Sequence, residues 1–523
     1  MYINNANYFD TIKNFIRKIL AIISIIHLSV FFNIETILGI SVTWISTELY
    51  LRFILKRSNV ILRPFSFIAI SFLFLFMYFA PIVTLIDFNP IYNNMHLPLI
   101  TFPLQLIYFS ILILSFCLFN NYQNNKLTGI WKSFGFFNSI SNKHLWLLAI
   151  GAWAIRLYLI TNRYGEDGTN EIAGAGTLSF FATFIYAPLI IPFKNLYDIK
   201  SKYKTPQFDT PIILYIIATT LVNITSNSRN AIISIFIVLA IYFFLFFVKN
   251  KKQIKCSSKT IIWSIIILIS FSFLSNLGIA MLGARSVRYG GSINNVFSTT
   301  INILTDKNKL DAIKKNIDIS TKDRRSANLW DEYYCSNVFF QRLCNYKVVD
   351  SSIKYAYKRG LGDKTMLKVP VLTKAEDRAF IWNIQNFGDR VTSILPGPIC
   401  NALGFQKKSI MSSPMDILYS LCTNTLAQGF KVGGDVGLGI SCFHYWYFIF
   451  AFIISKLLFY ILDSLTYKKK NGSIISIIGL VQIYFIMFLF GVGGGLSGWI
   501  GFIYSLIIGN IIRLIYVKIV TLL

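Results

Sequence analysis

The sequence predicts an all-α polytopic membrane protein with about twelve transmembrane helices, both termini in the cytoplasm and one large loop on the outer face. The first observation behind this prediction is composition: 54% of the 523 residues are hydrophobic and 14% are charged, whereas soluble globular chains carry about 25% charged residues. The second is that the apolar residues form continuous runs of about twenty, the length at which a helix crosses a bilayer. The third is the distribution of charge between the loops.

Each apolar run is a candidate transmembrane helix. The first run follows Lys13, Arg17 and Lys18 with no small-residue cleavage site after it, which indicates a retained helix rather than a removed signal peptide. The predicted spans cover residues 19–33, 37–55, 65–86, 98–119, 145–162, 178–194, 210–226, 230–248, 260–282, 442–463, 474–490 and 499–517.

The loops alternate in basic charge along the chain. The loops after predicted spans 2, 4, 6, 8 and 10 are rich in lysine and arginine, whereas the loops after spans 1, 3, 7 and 11 are short and nearly free of lysine. Cytoplasmic loops carry the excess of basic residues. Both termini are therefore predicted on the cytoplasmic side of a bacterial inner membrane. The net charge of +27 is then explained by cytoplasmic loops and contact with anionic lipids, and no nucleic-acid-binding motif accompanies it.

The long loop, residues 283–441, separates transmembrane region 1–282 from transmembrane region 442–523 and is predicted to be a periplasmic domain. It contains 22 Lys or Arg and 13 Asp or Glu, with no run that could span a membrane. Long loops do not follow the charge rule, so its basic balance is compatible with the outer face. Five of the seven cysteines lie in or beside it, and an oxidising compartment would permit pairs such as Cys335–Cys344 or Cys400–Cys422.

Ionisable residues inside predicted spans are candidates for function, because a bilayer makes them costly. Glu48 and Arg52 lie one helical turn apart, and a simple ion pair is the favoured explanation for both. Arg156 lies in the outer half of the fifth span. Arg229 lies in the tight outer turn TSNSRNAIIS, where the start of the next helix favours an anionic ligand; a solvated turn arginine is the alternative.

Further candidates lie in the long loop. Arginines bind phosphate oxygens with two parallel hydrogen bonds, lysines act as point charges, and carboxylates or imidazoles serve as general bases. Most lysines of this loop have a simpler interpretation as surface charge. The residues selected for phosphate binding or catalysis are Arg285, Arg288, Asp389, Arg390, Lys407, Asp435 and His444. No Cys-x-x-Cys or His-x-x-x-His spacing occurs, so neither a metal site nor another cofactor is predicted.

The chain resembles the Wzy-type polymerases of O-antigen and other oligosaccharide repeat units. The resemblance covers the architecture of most of the chain, with many spans, cytoplasmic ends and one dominant periplasmic loop late in the sequence. Locally, TSNSRNAIIS resembles the Ser-Arg segment that opens a helix in that family, and GDRVTSILPGPICNALGFQKKS resembles its arginine, proline and lysine pattern in the large loop. GGDVGLGISCFHYWYF is similar to the glycine-rich return into the membrane.

The resemblance implies glycosyl transfer outside the cytoplasm. A growing glycan on undecaprenyl diphosphate would move to a sugar hydroxyl of another lipid-linked repeat unit, and a chain-length regulator is a further candidate partner. Fixed cations would stabilise the charge that develops on the diphosphate. The hypothesis assigns substrate contacts to Arg156, Arg229, Arg285, Arg288, Arg390 and Lys407. It assigns the general base to one of Asp389, Asp435 and His444.

Two other functions remain open at this point. An O-antigen ligase would use the same membrane architecture and the same arginines, but would transfer the finished glycan to lipid A core. A flippase or transporter belongs to a different class, since it performs no chemistry. Flippases have a similar number of spans, but they rarely need a domain-sized loop, and the two halves of this chain show no internal repeat.

Overall fold

The computed structural model describes most of the chain, with gaps that fall mainly in the long loop. The described residues are 8–86, 88–93, 95–118, 125–138, 140–161, 181–198, 205–225, 229–250, 276–281, 283–284, 293–313, 315, 346–358, 371–383, 401–404, 414–423, 433–469, 472–490 and 495–522.

The regular secondary structure of the described residues is helical, apart from one short β-hairpin that follows the helix ending at Ser464. The helices before the long loop are α1 Tyr8–Val30, α2 Ile34–Leu49 (continued by a π-turn, Tyr50–Ile54), α3 Arg57–Leu62, α4 Pro64–Ile86, α5 Pro98–Cys117, α6 Lys126–Ser133, α7 Asn142–Thr161, a 3-10 segment Ala182–Leu196, α8 Thr210–Thr225 and α9 Arg229–Lys249.

The remaining elements belong to the long loop and to the C-terminal membrane region. They are α10 Ile293–Thr305, α11 Tyr346–Lys358, α12 Ala375–Trp382, α13 Pro414–Thr423, α14 Asp435–Phe443, a 3-10 turn His444–Trp446, α15 Tyr447–Ser464, β1 Thr466–Lys469, β2 Gly472–Ile475, α16 Ile477–Val481, α17 Ile483–Met487 and α18 Gly495–Leu522. β1 and β2 pair antiparallel, with Thr466 opposite Ile475.

Multi-pass membrane character is supported by five helical segments among the described residues. Each is long and apolar enough to cross a bilayer, and they cover Ile34–Ile54, Pro64–Ile86, Pro98–Cys117, Asp435–Ser464 and Gly501–Val520. Helices α7, α8 and α9 also occupy the positions predicted for spans, whereas most of the predicted span 260–282 lies outside the described residues. The helical stretch Asp435–Ser464 crosses the boundary drawn between the long loop and the tenth span.

The predicted span 178–194 is helical but is not an α-helix. Residues Ala182–Leu196 form a 3-10 helix that contains Pro188 and Pro192. Proline has no N–H group to donate and its ring crowds the preceding turn, which disfavours a continuous α-helix here. The segment is interrupted at Phe193, whose φ of −109° and ψ of 35° are not helical, so a kink divides it into two pieces.

The predicted span 474–490 is wrong as a single helix. Strand β2 occupies its start, and two five-residue helices, α16 and α17, meet at the fully buried Gln482. Irregular backbone at membrane depth is tolerated only where protein covers it. Side chains also bond two carbonyls of this segment: Tyr242 Oη donates to Leu480 O at 2.9 Å, and Trp499 Nε1 donates to Leu489 O at 2.6 Å.

Helix α11 of the long loop packs inside the membrane helices and belongs to their hydrophobic core. Its contact with α14 is close because α14 presents glycine. A Cβ atom added to Gly437 would lie 2.5 Å from the backbone carbonyl carbon of Ser352, and one added to Gly434 would lie 3.0 Å from Val349 Cα. Only residues without a Cβ allow these two backbones to approach so closely.

Substitution Gly437→Ala is therefore expected to destabilise the protein by about 1–3 kcal/mol, because the new methyl group meets backbone that cannot rotate away. Gly501→Ala in α18 is the matched control, since the added methyl meets no described atom within 4 Å. This control should instead stabilise its helix by about 0.5–1 kcal/mol. Thermal unfolding of the detergent-solubilised variants measures both, and equal midpoints would contradict the close α11–α14 contact.

A buried ion pair joins distant parts of the membrane region. Arg63 Nε donates to Asp463 Oδ2 at 2.7 Å, and the two side chains are 7% and 1% exposed. Ser66 Oγ donates to the other carboxylate oxygen at 2.6 Å, and Arg63 Nη1 donates to Phe116 O at 2.7 Å. The Arg63 guanidinium also lies 3.6 Å from the centre of the Phe116 ring. These hydrogen bonds connect the start of α4 with the end of α15.

The predicted pairing of Glu48 with Arg52 is wrong. Glu48 accepts two hydrogen bonds from Arg17 of α1, at 2.6 Å from Nε and 2.7 Å from Nη2. The geometry is the parallel two-bond arrangement that arginine forms with carboxylates. Arg52 lies instead near the Phe53 ring, 5.6 Å from its centre. Spacing along one helix identified a partner for Glu48, but a neighbouring helix supplied a better one.

Candidate functional site

A small, mostly apolar cavity with four polar side chains on its walls lies where the long loop packs into the membrane helices. Its walls come from α4, α5, α11 and the start of α14, together with Phe490. Its volume, counted as the space open to the centre of a water molecule, is about 20 Å³. This is enough for at least one ordered water, because about 10–15 Å³ suffices for one. The polar side chains on its walls are Gln105, Tyr108, Tyr346 and Asp435.

Asp435, a general-base candidate from the sequence, lies in this cavity. It is the first residue of α14, follows the extended residue Gly434 and is 7% exposed. The N-terminal turn of a helix favours a negative charge, because the helix dipole and free N–H groups point toward it. Tyr108 Oη donates a long hydrogen bond of 3.4 Å to Asp435 Oδ2.

Gln105 and Tyr108 reach the cavity from α5. They lie three residues apart and so share one face of that helix, and they are 5% and 2% exposed. The ring of Tyr108 stacks on Tyr447 of α15, with centroids 6.2 Å apart. The Oε1 atom of Gln105 is buried and has no hydrogen-bond partner among the described residues. Buried polar atoms in native proteins are normally bonded, so this acceptor marks a place for a donor.

Asp350 holds helix α11, which forms one wall of the cavity, against the start of α5. It is fully buried. Its carboxylate accepts hydrogen bonds from His96 N at 2.7 Å, Leu97 N at 2.9 Å and Thr101 Oγ1 at 2.9 Å. The backbone N–H groups at a helix start have no partner within the helix. Asp350 therefore caps α5 from a distant part of the chain.

Burial, which penalises the charged form, raises the pKa of Asp350, although the bonds from His96, Leu97 and Thr101 oppose the shift. A carboxyl whose pKa is higher in the folded state contributes stability that is fully present below the unfolded pKa of about 4 and is lost as pH rises through the folded pKa.

The stability advantage of wild type over Asp350→Asn is therefore expected to be larger at pH 5 than at pH 8. Thermal unfolding midpoints measure it, and a His96→Gln background removes the titration of the neighbouring imidazole. An advantage that grows toward pH 8 in that background would contradict the raised pKa.

Arg156, predicted to contact phosphate, lies in a second polar cluster. It is partly buried on α7, and its Nε atom is inaccessible and has no hydrogen-bond partner among the described residues. Tyr186 and Tyr484 lie near its guanidinium. Tyr186 also shares a hydrogen bond of 2.7 Å with Ser234 of α9. The cluster consists of groups that can donate hydrogen bonds, so it suits an anion.

His444, another predicted base, is not on the cavity wall. It lies at the junction of α14 and the 3-10 turn, where its backbone has φ 56° and ψ −150°. Positive φ is uncommon for residues other than glycine, and local strain of this kind requires surrounding support. Its ring packs edge-on against Tyr445 at 4.4 Å between centroids. The structure thus separates two base candidates that the sequence places nine residues apart.

The other predicted site residues lie partly or wholly outside the described atoms. Arg229 is the first residue of α9, as its predicted place at a helix start requires, but its side chain is outside the described atoms. The remaining candidates lie outside the described residues: Arg285, Arg288, Asp389, Arg390 and Lys407. The cysteine pair Cys335–Cys344 and residue Cys400 lie there too, whereas Cys422 Sγ donates to Tyr355 O at 3.0 Å.

Three important residues were missed from the sequence. Gln105 stands alone in the apolar run PLITFPLQLIYFSILILSFC, and a polar side chain inside a predicted span is a signal that could have identified it. Tyr108, three residues later, shares its face. Asp350 gave no such signal, because an aspartate in the polar segment YKVVDSSIKYAYK is indistinguishable from a surface charge.

Comparison of the chain with protein-family models, with curated proteins and with solved structures finds no match.

Proposed function

We propose that this protein is a membrane glycosyltransferase that polymerises lipid-linked oligosaccharide repeat units. The observation that carries the proposal is the buried carboxylate of Asp435 in a small, mostly apolar cavity at the junction of the long loop and the membrane helices. A carboxylate in a water-restricted cavity suits proton abstraction from a hydroxyl group. The separate cluster around Arg156 suits a phosphate leaving group.

The proposed topology has twelve spans in the bacterial inner membrane, cytoplasmic termini and a periplasmic long loop. Helices at most of the predicted positions and the alternating loop charges support it. In this orientation Asp435 lies near the outer membrane surface, where an undecaprenyl-diphosphate-linked glycan would present its first sugar.

The proposed reaction joins two lipid-linked glycans. The oxygen of an acceptor hydroxyl forms a bond to the anomeric carbon of the donor glycan, and the bond from that carbon to the diphosphate oxygen breaks. Asp435 takes the hydroxyl proton, and the diphosphate leaves with the electron pair. Arg156 stabilises the departing charge, and Arg229, Arg285, Arg288, Arg390 and Lys407 remain predicted contacts to diphosphate or glycan.

The test is a gel of surface glycan from cells with and without the gene. Collapse of a multi-repeat ladder to single repeat units is the expected result. An unchanged ladder would exclude the polymerase for that glycan. Accumulation of full-length polymer on its lipid carrier would instead identify an O-antigen ligase.

A further inference from the structure

We infer that the cavity is the subsite for the hydroxyl edge of the acceptor sugar, with Asp435 and Gln105 each accepting a hydrogen bond from one of two adjacent hydroxyl groups. The inference deepens the proposed function and rests on it for the identity of the sugar as acceptor. It assigns Gln105, a side chain in the middle of a membrane helix, to substrate recognition.

The buried amide oxygen of Gln105 requires a hydrogen-bond donor, and the carboxylate of Asp435 can accept more than one hydrogen bond. Asp435 and Gln105 are at least nine-tenths buried, and carboxylate and amide oxygens both accept hydrogen bonds. The Oε1 atom of Gln105 has no partner among the described residues. The hydroxyl group of Tyr108 donates to Asp435, so it does not donate to Gln105 Oε1. Two adjacent sugar hydroxyls supply two O–H donors, one for each acceptor.

Charge disfavours the diphosphate leaving group in the cavity. The space of about 20 Å³ is comparable to one or two waters and accepts a hydroxyl edge. The carboxylate of Asp435 would repel phosphate at close range. Arg156, Tyr186 and Tyr484 have the opposite character, since guanidinium and phenol groups donate to anions. The two substrates therefore require two subsites of opposite polarity.

A row of aromatic rings connects the two clusters. It runs from Tyr484, beside Arg156, through Phe488 and Phe72 to Phe76 on the cavity wall. Successive ring centroids are 5.3, 5.3 and 5.1 Å apart. Tyr484, Phe488 and Phe72 are partly exposed. The row is a line of edge-to-face aromatic contacts between the Arg156 cluster and the cavity.

Binding of two probes to the full-length protein in detergent tests the inference. One probe is the oligosaccharide repeat released from its lipid carrier, which has hydroxyls and no diphosphate. The other is inorganic pyrophosphate. Substitution Gln105→Met should weaken oligosaccharide binding about tenfold, because a buried ligand hydroxyl loses its acceptor. Pyrophosphate binding should stay within about twofold, whereas Arg156→Gln should weaken pyrophosphate binding alone.

Gln482→Met is the matched control, because Gln482 is another fully buried glutamine whose Oε1 has no described partner, but it lies outside the cavity, where its Nε2 donates to Thr183 Oγ1. It should leave binding of both probes unchanged. If Gln105→Met does not fold, Gln105→Asn withdraws the same oxygen by one methylene and should show the same selective loss. Wild-type oligosaccharide affinity in the folded Gln105 variant would overturn the inference and leave the cavity to an ordered water.

The outcomes separate this inference from the proposed function. A ladder that survives gene deletion, together with Gln105-dependent oligosaccharide binding, would refute the polymerase and retain the sugar subsite. A ladder that requires the gene, together with a Gln105→Met variant that binds the oligosaccharide as wild type does, would refute the subsite alone. Absence of oligosaccharide binding to wild type would refute the subsite whatever the ladder shows.

Discussion

Cells whose protein carries Asp435→Asn are expected to make single repeat units in place of long glycan chains. Asparagine preserves the size of the side chain and still accepts a hydrogen bond from Tyr108, whose Oη lies 3.4 Å from the present carboxylate. It cannot take a proton from the acceptor hydroxyl. Loss of a positioned general base lowers rates by about 10²–10⁴-fold, which is enough to remove a ladder that depends on repeated transfer.

The measurement is the surface-glycan gel, with protein level and thermal midpoint determined in parallel. Asp311→Asn is the matched control, because Asp311 is an exposed aspartate of the same long loop. It should leave the ladder intact. A normal ladder with Asp435→Asn at wild-type protein level would remove Asp435 from the catalytic step, and His444 and Asp389 would then be the bases to test.

The largest effect on stability is expected from Arg63→Met, at about 3–5 kcal/mol. The substitution leaves Asp463, 1% exposed, as a buried charge without its guanidinium partner. Ser66 would be its remaining hydrogen-bond donor among the described residues, at 2.6 Å, and one hydroxyl does not compensate for a buried charge. Unfolding of the detergent-solubilised protein should therefore begin at a markedly lower temperature or denaturant concentration than in wild type.

The double variant Arg63→Met/Asp463→Leu tests whether the unpaired buried charge causes this loss of stability. Replacing both partners of a buried pair with apolar groups is often neutral, so the double variant should recover most of the loss. Arg17→Met is the comparison at a half-exposed pair, since Arg17 and Glu48 are 39% and 45% exposed, and it should cost about 1 kcal/mol or less. A double variant no more stable than Arg63→Met would mean that packing around Arg63, and not charge burial, explains the loss.

The membrane helices were largely predictable because a bilayer imposes a local rule. A run of about twenty apolar residues must bond its own backbone in lipid, and this requirement can be recognised in the sequence alone. The helices α4 and α5 accordingly begin and end within about two residues of the predicted spans 65–86 and 98–119. The rule failed for 474–490, where the helix is interrupted at the buried Gln482 and Tyr242 donates to the carbonyl of Leu480.

The sequence by itself determined the helical membrane class, most helix positions and the candidacy of Asp435, because hydropathy, charge and the cost of a membrane-edge carboxylate act locally. Only the tertiary structure decided which side chains surround Asp435. Gln105 and Tyr108 come from a helix more than three hundred residues away in the chain, and Asp350 joins α11 to the start of α5 across a similar separation. Such contacts depend on how helices pack, and no periodicity along the chain encodes that packing.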